Sequence, residues 1–292
     1  MSATKIQYLD ATWNPITGCV PGLPCWDRCW ARRMSKRLAG RFGYDAKEPF
    51  RPTFHRDRLD DPLHWNKPRN IGVSFMGDIA LAPPEWIDQV FAAMHLASWN
   101  TFFILTKRPE LLVPYLNDPS TVGRVAEAQF KLFAHAATGP SDLVWPLPNV
   151  LIGTSVENQD AADERIPQLL KCPGRLWLSV EPLIGRTDFR HFLMDGETAW
   201  INDHNGRRPR STYGIGWVAV GPETGPQHRP CDLENVRRVV EQCHAAGAPC
   251  FVKQLGAKPF LDGKPLRLAH PKGGDPAEWP EDLRVRQMPT MK

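Results

Sequence analysis

From about residue 70 onward the chain repeats one pattern: a short apolar run, a polar turn and a helical stretch. Ile71-Gly-Val-Ser-Phe-Met76 ends in Gly77-Asp78, and Pro84 opens a segment whose Ile87, Val90, Phe91 and Met94 recur at the spacing of one helix face. Thr101-Phe-Phe-Ile-Leu105 leads to Thr106-Lys-Arg108, and Pro109 suits the first position of a helix. Val150-Leu-Ile-Gly-Thr154 leads into Ser155-Val-Glu157-Asn158 and a helical Gln159 to Leu170. Arg175-Leu-Trp-Leu-Ser179 leads into Val180-Glu181-Pro182, and Ile215-Gly-Trp-Val-Ala-Val220 into Gly221-Pro-Glu223. Asp232 can cap a helix carrying Leu233, Val236, Val240 and Cys243, with Gly247 closing it. A last run, Pro249-Cys-Phe-Val252, ends in Lys253-Gln254. Near-continuous apolar strands between helical stretches predict an α/β fold with a helix-covered parallel sheet. Six such strands, with a seventh ahead of Cys19, suit a TIM-like full or partial (β/α) barrel.

In such folds the site lies at the carboxyl ends of the strands. Here those ends carry Cys19, Asp78, Lys107, Ser155, Glu157, Glu181, Glu223 and Lys253. Residues 1–256 read as a single domain of this kind, with surface insertions near 39–69, 117–149 and 186–214. The second insertion is expected to hold an extra helix around Val122 to Ala137. Residues 257–292 form a Pro- and Gly-rich tail expected over the surface. No apolar run reaches the length of a membrane span and no signal-peptide pattern opens the chain. A cytoplasmic protein with no membrane partner is therefore expected.

Seven cysteines, an odd number without a secretory signal, argue against a disulfide framework. Three of them, Cys19, Cys25 and Cys29, fall in one loop with the spacing C-x5-C-x3-C. Three thiolates on one loop can hold three irons of a four-iron cluster and leave the fourth iron open. Zinc would want a fourth protein ligand, and the spacing of His55 and His64 matches no zinc pattern. Packed structural thiols are the third reading. Cys243 and Cys250 lie on apolar faces and read as packed small hydrophobes, while Cys172 and Cys231 stand beside prolines without an assigned role. The helical stretch after Cys29 sets Trp30, Met34 and Leu38 on one face and Arg32, Arg33, Lys36 and Arg37 largely on the others. A basic face is either a solvated surface or an attraction for nucleic-acid phosphate. The net charge of +4 permits an anionic ligand without requiring one.

A strand, a three-cysteine loop, a helix and successive βα units resemble the radical S-adenosylmethionine (SAM) superfamily. More closely, the chain resembles a phage- and prophage-associated family of three-cysteine-motif proteins. The matching stretches are Asp10-Ala-Thr-Trp-Asn-Pro15, Thr17-Gly-Cys19, Cys29-Trp-Ala-Arg-Arg-Met34, Phe75-Met-Gly-Asp78 and Leu105-Thr-Lys-Arg-Pro109. They continue through Leu147-Pro-Asn-Val150, Ser155-Val-Glu157, Glu181-Pro-Leu183, Gly221-Pro-Glu-Thr-Gly225 and Lys253-Gln-Leu-Gly256. This chain departs from the pattern at Trp26-Asp-Arg28, three residues where the family usually has two between its last cysteines.

The resemblance implies a [4Fe-4S] cluster on Cys19, Cys25 and Cys29. That cluster would bind the amino and carboxylate groups of SAM, and one electron from a reductant protein would cleave the sulfonium to a deoxyadenosyl radical. Asp78 is then placed to accept from the SAM amino group, and Ser155 and Glu157 to meet its ribose or carboxylate. Glu181 and Glu223 become ribose or substrate contacts, while Lys107, Arg108 and Lys253 would counter a carboxylate or phosphate. A nucleic acid or nucleotide is the implied substrate. The competing expectations are a non-catalytic nucleic-acid-binding or phage accessory protein that keeps the barrel, and a structural zinc protein.

Overall fold

The computed structural model describes residues 2–23, 25–133, 143–193, 200–203, 206–209, 214–224 and 228–289. The chain forms two compact units, residues 1–151 and 152–292. Both are mixed α/β, and a strand forms at each of the seven places where the sequence predicts one.

The first unit holds β1 (Ser2–Ala3), β2 (Ala11–Trp13), β3 (Ile16–Thr17), α1 (Trp30–Leu38), β4 (Thr53–Phe54) and β5 (Asn70–Val73). It continues with α2 (Pro84–Leu96), β6 (Thr101–Thr106), α3 (Pro109–Asn117) and α4 (Thr121–Phe133). Strands β2, β5 and β6 are parallel neighbours, with Ala11 opposite Ile71 and Ile71 opposite Phe102, and β1 adds an antiparallel edge. Their side chains are buried on both faces: Trp13 packs on Phe102 with ring centroids 5.8 Å apart. Pro84 and Pro109 each start their helix, where a missing N–H costs nothing. The predicted face of α2 is the buried one, and each of Ile87, Val90, Phe91 and Met94 contributes about 1.5–3 kcal/mol by leaving water. Three helices are tied together by Asp88 of α2, which accepts from Tyr115 Oη of α3 at 2.8 Å and Arg124 Nε of α4 at 3.2 Å.

Strand β7 (Val150–Ser155) crosses the division between the units. The second unit continues with α5 (Gln159–Leu169), β8 (Arg175–Leu183), the hairpin of β9 (Trp200–Asp203) and β10 (Gly206–Pro209), and β11 (Trp217–Pro222). Then come β12 (Cys231–Asp232), α6 (Leu233–Ala245), β13 (Cys250–Val252), β14 (Pro259–Leu261) and β15 (Lys264–Pro265). The strands run in the order β7-β8-β11-β13, with β8, β11 and β13 parallel. Asp232 caps α6 by accepting from the Glu234 N–H at 3.0 Å. The Pro/Gly-rich tail does more than lie over the surface. Trp279 and Leu283 are buried, and Val285 and Gln287 exchange backbone hydrogen bonds with β13.

Of the predicted apolar face of α1, only Leu38 packs inward. Trp30 is 51% and Met34 38% exposed, while Ala31 and Ser35 face inward. Ala31 packs with Tyr44, Phe50 and Met76, and small side chains on that face let the helix approach those large ones closely. The extra helix predicted over 122–137 is α4, and residues 134–137 lie outside the described residues. No helix among the described residues is long and apolar enough to cross a membrane.

Candidate functional site

In the first unit the cysteine loop is set by a close backbone crossing. Gly18 and Gly77 form a parallel bridge in which Gly18 N–H donates to Met76 O at 3.1 Å and Asp78 N–H to Gly18 O at 3.0 Å. A Cβ on Gly77 would stand 2.5 Å from Gly18 O. Gly18 has φ of +91°, and its own Cβ would stand 2.0 Å from Arg51 O. Cys19, the next residue, donates its N–H to Phe50 O at 2.8 Å.

This crossing delivers the Cys19 thiol to the end of β6. Arg108 Nη1 donates to Cys19 Sγ at 3.4 Å, and Nη2 donates to Val20 O at 3.2 Å. Asp78, only 5% exposed, holds the same guanidinium, with Nη1 3.5 Å from Oδ2. Its Oδ1 accepts from Thr106 Oγ1 at 2.6 Å and Ala80 N–H at 3.2 Å, and Oδ2 from Lys107 N–H at 3.2 Å. Burial pushes the Asp78 carboxyl up, opposed by the hydrogen bonds from Thr106, Lys107 and Ala80 and by the Arg108 charge. Burial also raises the Cys19 thiol, joined by the Asp78 charge, while Arg108 pulls it down by charge and hydrogen bond. Cys19, Asp78 and Arg108 thus form one linked set, and Lys107 joins it through its backbone.

Cys25 and Cys29 flank a single 3-10 turn, Trp26–Arg28, and Cys29 is the N-cap residue of α1. All three loop cysteines are unpaired and half-buried, whereas Cys172, Cys231, Cys243 and Cys250 are unpaired and buried. Desolvation raises Cys172 and Cys231 to about 12, and Cys243 is raised first by its hydrogen bond with Cys250 and then by burial. Those four are packed thiols. Among the described residues no group of three or more His, Cys, Asp or Glu side chains is assembled to hold a metal ion. His55 Nε2 is hydrogen-bonded to Thr17 Oγ1 at 2.8 Å, and its pKa falls to about 4 because it is buried, with Arg58 nearby adding to the effect. His64 sits 3.2 Å from Asp60 on the surface. Neither histidine joins the cysteines.

The strand-end residues of the second unit form separate pairs. Glu157 accepts from Arg165 Nη1 at 2.7 Å, and the same nitrogen donates to Ser155 O at 2.9 Å. Glu181 is paired with Lys253 Nζ, leaving Glu181 Oε1 buried without a hydrogen-bond partner. Glu223 is gripped by Arg229, through Nε at 2.9 Å and the backbone N–H at 2.8 Å. Sequence reasoning missed Thr106, Arg165 and Arg229. Arg165 stands eight residues after Glu157, two turns into the following helix, which is a readable signal; Arg229 lies in an irregular loop with none.

The family of proteins of unknown function designated DUF5131 matches residues 3–267. No curated protein and no solved structure matches the chain. The match spans most of the chain and both units, so the chain belongs to this family.

Proposed function

We propose that this member of the DUF5131 family is a radical-SAM-like iron–sulfur protein of the phage-associated three-cysteine type. In this reading its parallel strands form a partial barrel of the radical-SAM kind, and its substrate is a nucleic acid or nucleotide. One observation carries the reading. Of seven free cysteines, three are half-exposed in one loop and four are buried, and the Arg108 guanidinium lies 3.4 Å from the first of the three.

The donor set fits a cluster in kind: three unpaired thiols with a cation at one sulfur. Cys19, Cys25 and Cys29 would hold it, although among the described residues the three thiols are not assembled as one metal-holding group. A [4Fe-4S] cluster with SAM would supply one-electron reductive cleavage of the sulfonium there. The chain's own residues prepare the anchor. Arg108 favours the Cys19 thiolate, the form that binds metal. Asp78, its carboxylate already engaged by Thr106 and two backbone N–H groups, positions Arg108 rather than reaching outward for a ligand.

Anaerobic reconstitution followed by elemental analysis tests the reading. About four irons per chain and broad visible absorption are expected, both lost in Cys19→Ala and Cys29→Ala and retained in Cys172→Ala. Stoichiometric zinc, or a colourless protein without iron, would refute it.

A further inference from the structure

Residues 28–58 carry ten Lys and Arg against three Asp and Glu, a net +7 in a chain whose total is +4. The rest of the molecule is therefore net negative, and this one segment of the first unit holds all the excess positive charge. Arg28, Arg33, Lys36, Arg37 and Arg56 are exposed and belong to no ion pair among the described residues. The three acids do little to cancel them. Asp45 is held by Arg51 and by two backbone N–H groups, while Glu48 and Asp57 are exposed.

Aromatic rings are interleaved with these cations. Trp30 is 51% and Phe42 71% exposed, and Arg32 lies over the Trp26 ring at 4.7 Å. A groove of about 780 Å³ runs along residues 51–54, Arg56, Asp57 and Trp86. Phe54 and Trp86 stack in it at 5.3 Å and 13°, with Arg56 at 5.7 Å from the Phe54 ring. The groove and α1 are joined through Phe50, which packs on Trp26 and Ala31. Unpaired cations recruit phosphates, and flat rings, exposed at Trp30 and half-buried at the Phe54–Trp86 stack, accept unstacked bases of any sequence. A duplex hides its base faces, so the rings select against it.

We propose that α1 and the Phe54–Trp86 groove bind single-stranded nucleic acid, phosphates on the arginines and bases on Trp30 and the Phe54–Trp86 pair. As a substrate class for the cysteine site this rests on the reading above, but the binding itself needs no cluster. The test is fluorescence anisotropy with a labelled fifteen-nucleotide oligo-dT and with a duplex of equal length, from 50 to 200 mM salt. Expected is preference for the single strand, with affinity falling steeply as salt rises. The variant Arg33→Gln/Arg37→Gln/Arg56→Gln should flatten the log–log salt slope by about 2. Trp30→Ala should weaken binding on the order of 10-fold. No binding at 50 mM salt, equal affinity for the duplex, or a triple variant with unchanged slope would overturn the proposal. The Cys19→Ala/Cys29→Ala chain is run beside the wild type. A colourless wild-type protein whose binding survives those changes supports this inference and sinks the cluster reading. A brown protein that binds no oligonucleotide does the reverse.

Discussion

Gly77→Ala is the sharpest perturbation of the cysteine loop, because it adds one methyl group where backbone, not side chain, stands in the way. The new Cβ would lie 2.5 Å from Gly18 O, 2.6 Å from Gly18 N and 2.8 Å from the Thr17 carbonyl carbon. Ordinary contact begins near 3.5 Å, so the crossing must open by roughly 1 Å. That stretches two backbone hydrogen bonds, Gly18 N–H to Met76 O and Asp78 N–H to Gly18 O, beyond bonding distance. Each contributes about 1 kcal/mol, and forcing a methyl into packed space costs about 1–3 kcal/mol. The sum, about 3–5 kcal/mol, is a large share of a stability of about 5–15 kcal/mol. Urea unfolding followed by tryptophan fluorescence measures it, with Gly123→Ala as the control. Gly123 sits in α4 with nothing within 4 Å of its added Cβ, so that change should be neutral or mildly stabilising. Mass-resolved alkylation of Cys19 supplies a second readout, since opening the crossing frees its thiol from Arg108. A Gly77→Ala protein within about 0.5 kcal/mol of wild type, with Cys19 alkylated at the wild-type rate, would refute the reasoning.

Arg108→Met and Asp78→Asn should move the pH profile of Cys19 alkylation in opposite directions, upward for the lost cation and downward for the lost anion; shifts of the same sign would exclude the linked set. Lys253→Met leaves the half-buried Glu181 carboxylate uncompensated and should cost about 1–3 kcal/mol, most of it recovered in Glu181→Met/Lys253→Met, as urea midpoints will show. His55 stays neutral in the folded protein down to about pH 4, while the unfolded chain takes up its proton near pH 6.5. Unfolding therefore binds a proton between those values, so stability falls as pH drops from about 6.5 to 4, and His55→Gln should flatten that part of the profile.

Much of the fold was legible because its strands are buried on both faces. Runs such as Thr101–Thr106 and Val150–Ser155 leave a continuous apolar signature, and Pro84, Pro109 and Asp232 mark helix starts by chemistry that is local. What was not legible depends on partners distant in sequence. The inward side of α1 is chosen by Tyr44, Phe50 and Met76, against which Ala31 is buried and Leu38 partly buried, while Trp30 and Met34 stay exposed. The anchoring of the Pro- and Gly-rich tail turns on Trp279 and Leu283, two apolar residues that composition averages away.

The candidate site divides along the same line. Asp78, Arg108 and Cys19 each follow a strand in the sequence, but their mutual contacts are not written there, nor is the convergence of Thr106 and two backbone N–H groups on the Asp78 carboxylate. At the strand ends of the second unit each acid has its own cation: Glu157 has Arg165, Glu181 has Lys253 and Glu223 has Arg229. Pairing of this kind cancels field as well as satisfying hydrogen bonds, so those charges cannot steer an anion from solution. The cations of residues 28–58 have no such partners in number. Uncompensated charge, not charge at a strand end, therefore locates the surface a polyanion would meet first, and it lies in the unit that carries the three half-exposed thiols.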